Sequence, residues 1–250
     1  MNLIFVRHAE PDYSIDSLTP RGWEEAKALA PRVAKWNVKE FYVSPMGRAK
    51  DTAREGMALT GRQPIELPWL REFQLPLTRP NGTQAHIYWD LLPDELAAEE
   101  GFRDERTWAD CGFMTSGDAA AYYRRITEEF DKLLEQHGYR RNGHCYEPVQ
   151  PNSDTLVFFC HMGLTMTLVG YLLGVSPMLL TNGACCAPTG ITVLTSQHRV
   201  ENQATFRLWT MGDVSHLTAA GLTPSSAAFF EEIYGDDHKA PWWEPIGDLR

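Results

Sequence analysis

The sequence predicts an α/β fold: three α/β/α layers around a mostly parallel central sheet, with an inserted cap subdomain. Three observations lead there. Residues 3–6 (Leu-Ile-Phe-Val) and 155–160 (Thr-Leu-Val-Phe-Phe-Cys) are short apolar runs rich in β-branched and aromatic side chains, the signature of strands buried on both faces. Strand-like runs alternate with segments whose apolar residues recur at helical spacing, which implies a largely parallel sheet with helices on both sides. Residues 74–115 break this rhythm, mixing Tyr88, Trp89, Phe102 and Trp108 with dense acids and no single period. A connection that long is seldom structureless and often forms a lid.

Each element has a local reason. Residues 11–17 form a polar loop, and Thr19-Pro20 is a helix start, a capping hydroxyl followed by proline at the first helical position. Trp23, Ala26, Ala30 and Val33 give that helix one apolar face to about Lys35. Residues 40–44 form a second strand, closed by Ser44-Pro45, and Ala49, Ala53, Met57 and Thr60 mark a helix over 46–60. A short strand follows at 65–67. Ser116 is placed to cap a long helix over 118–137, with Tyr122, Ile126, Phe130 and Leu133 on one face. Residues 140–153, with two prolines and two asparagines, read as a loop. The strand at 155–160 is followed by a helix over 164–173, and strands near 191–195 and 205–210 complete the sheet.

The chain of 250 residues suits a single domain, with 74–115 as the cap and 219–250 as a C-terminal extension. Hydrophobic residues at 43% and charged ones at 22% are ordinary for a globular protein. A net charge of −10 argues against a nucleic-acid surface or an anionic membrane face, so an anionic ligand must be held by local arginines. The first apolar run is too short for a signal or membrane-spanning segment and has no basic region before it, which leads to an expected cytoplasmic location. Five cysteines without a C-x-x-C pair read as reduced thiols, with no zinc or redox centre. The tryptophans of the tail, Trp242 and Trp243, offer a surface for a homodimer contact.

Arg7 and His8 stand at the carboxyl end of the first strand, and His161 at the end of the strand over 155–160. In open α/β sheets ligands bind at that edge, so a cation and two imidazoles distant in sequence are set to converge around a small anion.

With these residues in view, the chain resembles the histidine phosphatase superfamily, the phosphoglycerate-mutase-like fold. The resemblance rests on Arg7-His8-Ala9-Glu10, on Leu18-Thr19-Pro20-Arg21-Gly22, and on Ser44-Pro45-Met46-Gly47-Arg48-Ala49-Lys50-Asp51-Thr52-Ala53. Leu70-Arg71-Glu72 and Cys160-His161-Met162-Gly163 complete it. Ala9 and Met162 stand where the family usually or often has glycine. The resemblance implies His8 as a nucleophile that forms a phosphohistidine, with Arg7 and Arg48 binding phosphate and lowering the pKa of His8. A backbone carbonyl on the other ring nitrogen of His8 is expected to fix its tautomer. His161 is implied as a further catalytic and phosphate-binding donor, and the backbone N–H of Met162 as a phosphate ligand. Glu72 is implied as the acid that protonates the leaving oxygen and then the base that activates water, with Glu10 a nearby competitor for that role. No metal or other cofactor is implied.

The expected activity is hydrolysis of a small phosphomonoester. A phosphoglycerate mutase of the same fold is the alternative, disfavoured because Pro11-Asp12-Tyr13-Ser14 replaces the serine and asparagine usual after the first motif in that branch. A non-catalytic module holding a phosphorylated partner is a third reading, which the full set of pocket residues opposes.

Overall fold

The computed structural model describes residues 1–225 and 227. Along the chain come β1 (Asn2–Arg7), a two-residue ladder of β2 (Pro11–Asp12) and β3 (Ser17–Leu18), α1 (Pro20–Val33), β4 (Glu40–Val43), α2 (Gly47–Thr60) and β5 (Ile65–Glu66). The region after Glu72 holds the hairpin β6 (Gln74–Thr78) and β7 (Gln84–Ile87), then α3 (Pro93–Ala98) and two 3-10 turns. Beyond it lie α4 (Ala119–Gln136), β8 (Tyr139–Asn142), β9 (Cys145–Pro148), β10 (Thr155–Cys160), α5 (Met162–Leu173) and α6 (Pro177–Gly183). The long hairpin β11 (Ile191–Val200) and β12 (Gln203–Asp213) leads to α7 (Ser215–Ala219).

Eight strands form one sheet in the order β5-β4-β10-β1-β11-β12-β9-β8. β10 pairs in parallel with both β1 and β4, and β4 with β5. From β11 onward every pairing is antiparallel. The expected mostly parallel sheet thus holds for one half only: β11 runs opposite to β1, and it forms with β12 a hairpin, turning at Asn202 (φ 59°), that can pair only antiparallel.

Both central strands are buried on both faces, as their apolar runs require. Leu3, Phe5, Leu156 and Phe158 face Ile126 and Phe130 of α4 and Leu164 and Leu168 of α5. Their neighbours Ile4, Val6, Val157 and Phe159 face Leu29 and Val33 of α1 and Ala49, Ala53 and Met57 of α2. This alternation makes the three layers. The region 74–115 contributes Leu77, Tyr88, Trp108 and Met114 to the same core as α4 and α5, rather than a core of its own.

Several local expectations differ from the structure. Residues 140–153 include the hairpin β8–β9, turning at Gly143 (φ +60°), where Tyr139 and Tyr146 are buried and Arg141 stacks over the Tyr146 ring at 4.9 Å. Two buried aromatics among polar neighbours were too few to show a strand period. Ser116 does not cap α4: its hydroxyl donates to Phe113 O, and Asp118, left-handed at φ 54°, precedes the helix. α5 begins at Met162, directly after His161, and α6 was not foreseen. Thr19 does cap α1, accepting from Gly22 N at 3.0 Å. Most of the extension over 219–250 lies outside the described residues. Among the described residues no helix is long and apolar enough to cross a membrane.

Candidate active site

The parallel register places Arg7 beside Cys160, so the residues after both strands leave the sheet at one edge. A cavity of about 130 Å³ opens there, lined by Arg7, His8, Arg48 and Glu72, with Trp89 and Met162 on one side. Four of the residues singled out in the sequence as catalytic or phosphate-binding, and Met162, thus meet at one cavity. His161 does not line it; the ring is fully enclosed and meets His8 edge-on, with centroids 5.2 Å apart.

His8 is 3% exposed. Its Nδ1 lies 2.8 Å from Ala9 O, so a proton on Nδ1 donates to that carbonyl and leaves Nε2 as the basic nitrogen. Burial holds its pKa well below the ordinary histidine value, and the charges of Arg7 and Arg48 push the same way. The His161 pKa is likewise depressed by burial, then by His8 and the arginines. Its Nε2 is 2.7 Å from Ser44 Oγ, while Nδ1 has no protein partner.

Arg7 and Arg48 are 5% and 4% exposed in a protein of net charge −10. Arg7 donates through Nη1 to Cys186 O at 2.5 Å and through Nη2 to Ala227 O at 3.3 Å. Arg48 donates to Asp16 Oδ1 at 2.6 Å, and Tyr13 lies against its guanidinium at 5.3 Å. The Nε–H of each arginine is buried without a protein acceptor. Such an orphan donor costs about 1–3 kcal/mol, which an anionic ligand can offset.

Asp16 was not singled out in the sequence, although it organises this corner. Held at φ 48°, it accepts from Gly47 N at 2.7 Å as well as from Arg48. Gly47 permits the approach, since a Cβ there would lie 2.0 Å from Asp16 O. Thr52 ties the two motifs together, accepting Ala9 N at 2.9 Å and donating to Arg48 O at 2.7 Å. Trp89 was also missed as a site residue, because nothing in the aperiodic stretch around it marks which aromatic turns inward.

Glu72 sits at the amino end of α5. Its Oε1 accepts from Phe73 N and Leu164 N, both at 2.9 Å, and Oε2 accepts from Gly163 N at 3.2 Å. The carboxylate therefore takes the helix amides next to Met162. Burial raises its pKa, while the three backbone donors and Arg7 oppose the rise. Glu10, the competitor, is engaged elsewhere: it accepts from Thr19 Oγ1 at 2.8 Å and Ser225 Oγ at 2.5 Å, and does not line the cavity. His86 and His144 are exposed, and His216 is buried against Thr189.

Among the described residues no three His, Cys, Asp or Glu side chains are grouped to hold a metal ion. The arrangement can hold a small tetrahedral anion against two fixed cations, offer it a neutral imidazole nitrogen, and supply a carboxyl group that is protonated more readily than in water.

A family model described as histidine phosphatase superfamily (branch 1) matches residues 3–211. No curated protein matches the chain. Among solved structures, phosphoserine phosphatase from Entamoeba histolytica, in complex with 3-phosphoglyceric acid, aligns with a TM-score of 0.57 at 22% identity, covering 86% of this chain and 98% of its own. Mycobacterial glucosyl-3-phosphoglycerate phosphatase aligns at 0.55 and 22%, covering 84% of this chain and 97% of its own. The alpha-ribazole phosphatase of Shigella flexneri aligns at 0.53 and 19%, covering 86% and 97%. At these identities the likeness is one of fold.

Proposed function

Because the chain belongs to the histidine phosphatase superfamily, branch 1, we propose that it hydrolyses small phosphomonoesters through a covalent phosphohistidine on His8. The observation that carries the reading is the His8 imidazole, fixed through Nδ1 on Ala9 O beside a cavity that it shares with two buried guanidinium groups. Nε2 attacks phosphorus in line, and the bond to the ester oxygen breaks as Glu72 delivers a proton to it. Arg7 and Arg48 neutralise the equatorial oxygens, and His161, which does not line the cavity, acts through its edge-on contact with the His8 ring. Glu72, now a carboxylate, takes a proton from water, which attacks the phosphohistidine and releases inorganic phosphate. The guanidinium groups supply the charge neutralisation that a metal ion gives in other phosphoryl transfers, so turnover is expected to persist in chelator. Residues 74–115 act as a cap over the single domain, and a cytoplasmic setting suits a small phosphorylated metabolite as substrate.

Turnover of p-nitrophenyl phosphate and a panel of phosphorylated metabolites, with chelator present, tests this for the wild type and His8→Ala. Hydrolysis by the wild type alone, with phosphate trapped on His8, is the expected result. Equal, negligible rates for both proteins on every substrate would instead mark a phosphate-binding module. Isomerisation of 3-phosphoglycerate only after priming with the bisphosphate, without general phosphatase activity, would mark a mutase.

A further inference from the structure

The reaction cavity, at about 130 Å³, has room for a phosphoryl group and few further atoms. Trp89 and Met162 also line a second space, a cleft of about 460 Å³ between the segment around α3 and the carboxyl end of α6. That volume falls in the range of about 300–1,000 Å³ typical of sites for whole small molecules. The two spaces share these two side chains in their lining, both almost fully buried.

The acid's position indicates which way a leaving group points. Glu72 Oε2 is held by Gly163 N, and the indole of Trp89 packs directly on that glycine, where a Cβ would come within 1.9 Å of Trp89 Cζ3. An ester oxygen protonated by Glu72 therefore departs beside Trp89, toward the cleft. The cleft offers the apolar surfaces of Leu91, Pro93 and Leu96, and Asn182, an exposed residue whose amide donates to Met178 O at 2.9 Å. Among the described residues none that lines it is cationic. Arg79 is engaged by Asp90 and Glu95, and Arg103, exposed at the end of a 3-10 turn, does not line the cleft. Arg71, whose charge is felt at His161, lines neither space.

We propose that the cleft bounded by Trp89, Met162, Leu96 and Asn182 receives the leaving alcohol, and that it selects an uncharged alcohol with an apolar face over one that bears a carboxylate. This rests on the hydrolase reading above. A carboxylate placed there loses hydration and meets no cation among the described residues, whereas an apolar group exchanges water for the faces of Trp89 and Leu96. The preference is opposite to what an acid-bearing ester such as phosphoserine or 3-phosphoglycerate requires.

The test compares kcat/KM for 2-phenylethyl phosphate, O-phosphoserine and 3-phosphoglycerate, all esters of primary alcohols, in the wild type and in Asn182→Arg. Asn182 is exposed at the end of α6, where a cation is tolerated by the helix. The wild type is expected to favour 2-phenylethyl phosphate by about tenfold or more, and Asn182→Arg to shift the ratio toward the two carboxylates by a similar factor. Trp89→Ala is expected to lower kcat/KM for 2-phenylethyl phosphate more than for 3-phosphoglycerate. A wild type that prefers either carboxylate, or a ratio indifferent to Asn182→Arg, overturns the selectivity and leaves the hydrolase reading intact. Hydrolysis of none of the three, nor of p-nitrophenyl phosphate, overturns the hydrolase reading and this inference with it.

Discussion

His8 and His161 meet edge to face, with ring centroids 5.2 Å apart and planes inclined at 61°. Two imidazoles this close, enclosed with two guanidinium groups, resist becoming cations, and both have depressed pKa values. In the proposed mechanism, activity depends on His8 staying neutral and on Glu72 keeping its proton.

The free enzyme is expected to show a bell-shaped kcat/KM against pH. Its acid limb, where His8 gains a proton, lies below the ordinary histidine value of 6.5, and its alkaline limb, where Glu72 loses one, lies above the ordinary carboxyl value of 4.5. In Glu72→Gln the alkaline limb should vanish along with most of the rate. An alkaline limb that persists unchanged in this variant would assign it to another group.

Asp16 is expected to position Arg48 rather than to stabilise the protein. Its side chain is 47% exposed, and an ion pair so placed contributes at most about 1 kcal/mol. Asp16→Asn keeps a residue that tolerates the left-handed turn, so the urea midpoint should hardly move while KM rises. Arg48→Ala should cost about 10²–10³ in kcat/KM, as for loss of one preorganised donor. Equal kinetic effects on kcat and KM paired with a large loss of stability in Asp16→Asn would contradict the positioning role.

Gly163→Ala should destabilise the fold by about 1–3 kcal/mol, since its Cβ would overlap the Trp89 ring. In Gly163→Ala the closest part of the clash is with the indole, at 1.9 Å, against 2.9 Å for Glu72 Oε1. Combining it with Trp89→Ala should therefore give a loss smaller than the sum of the single changes, measured by urea unfolding. Strict additivity would mean that the indole does not pack on α5 as described.

His216 provides a stability prediction away from the site. Buried, with Nε2 2.9 Å from Thr189 Oγ1, its pKa falls to about 4, chiefly through burial and then through Arg32. A depressed pKa favours the neutral ring in the folded state. Its contribution is present above about pH 6.5, shrinks below that, and is gone once pH passes through 4. The loss amounts to on the order of 3 kcal/mol. Unfolding free energies at pH 7 and pH 4 should differ less in His216→Gln than in the wild type by about that amount. An equal pH dependence in both proteins would assign the acid lability to other groups.

The sequence alone determined what local pattern can encode. The twin apolar runs of β1 and β10 read as central strands because both faces of each are covered, and Thr19-Pro20 located the start of α1 because capping is a contact within three residues. Arg7, His8, Arg48 and Glu72, which line one cavity, stand in short motifs that can be picked out of the sequence without knowing the fold. Tertiary structure decided the rest: which half of the sheet turns antiparallel, that Tyr139 and Tyr146 make a strand pair of a polar stretch, and that Asp16 bends back onto Arg48. It also decided that Trp89, rather than another aromatic of residues 74–115, packs on Gly163 at the amino end of α5 beside Glu72. Those outcomes depend on contacts between residues far apart in the chain, whose strength is set by packing and burial, and such terms leave no periodic trace in the order of the amino acids.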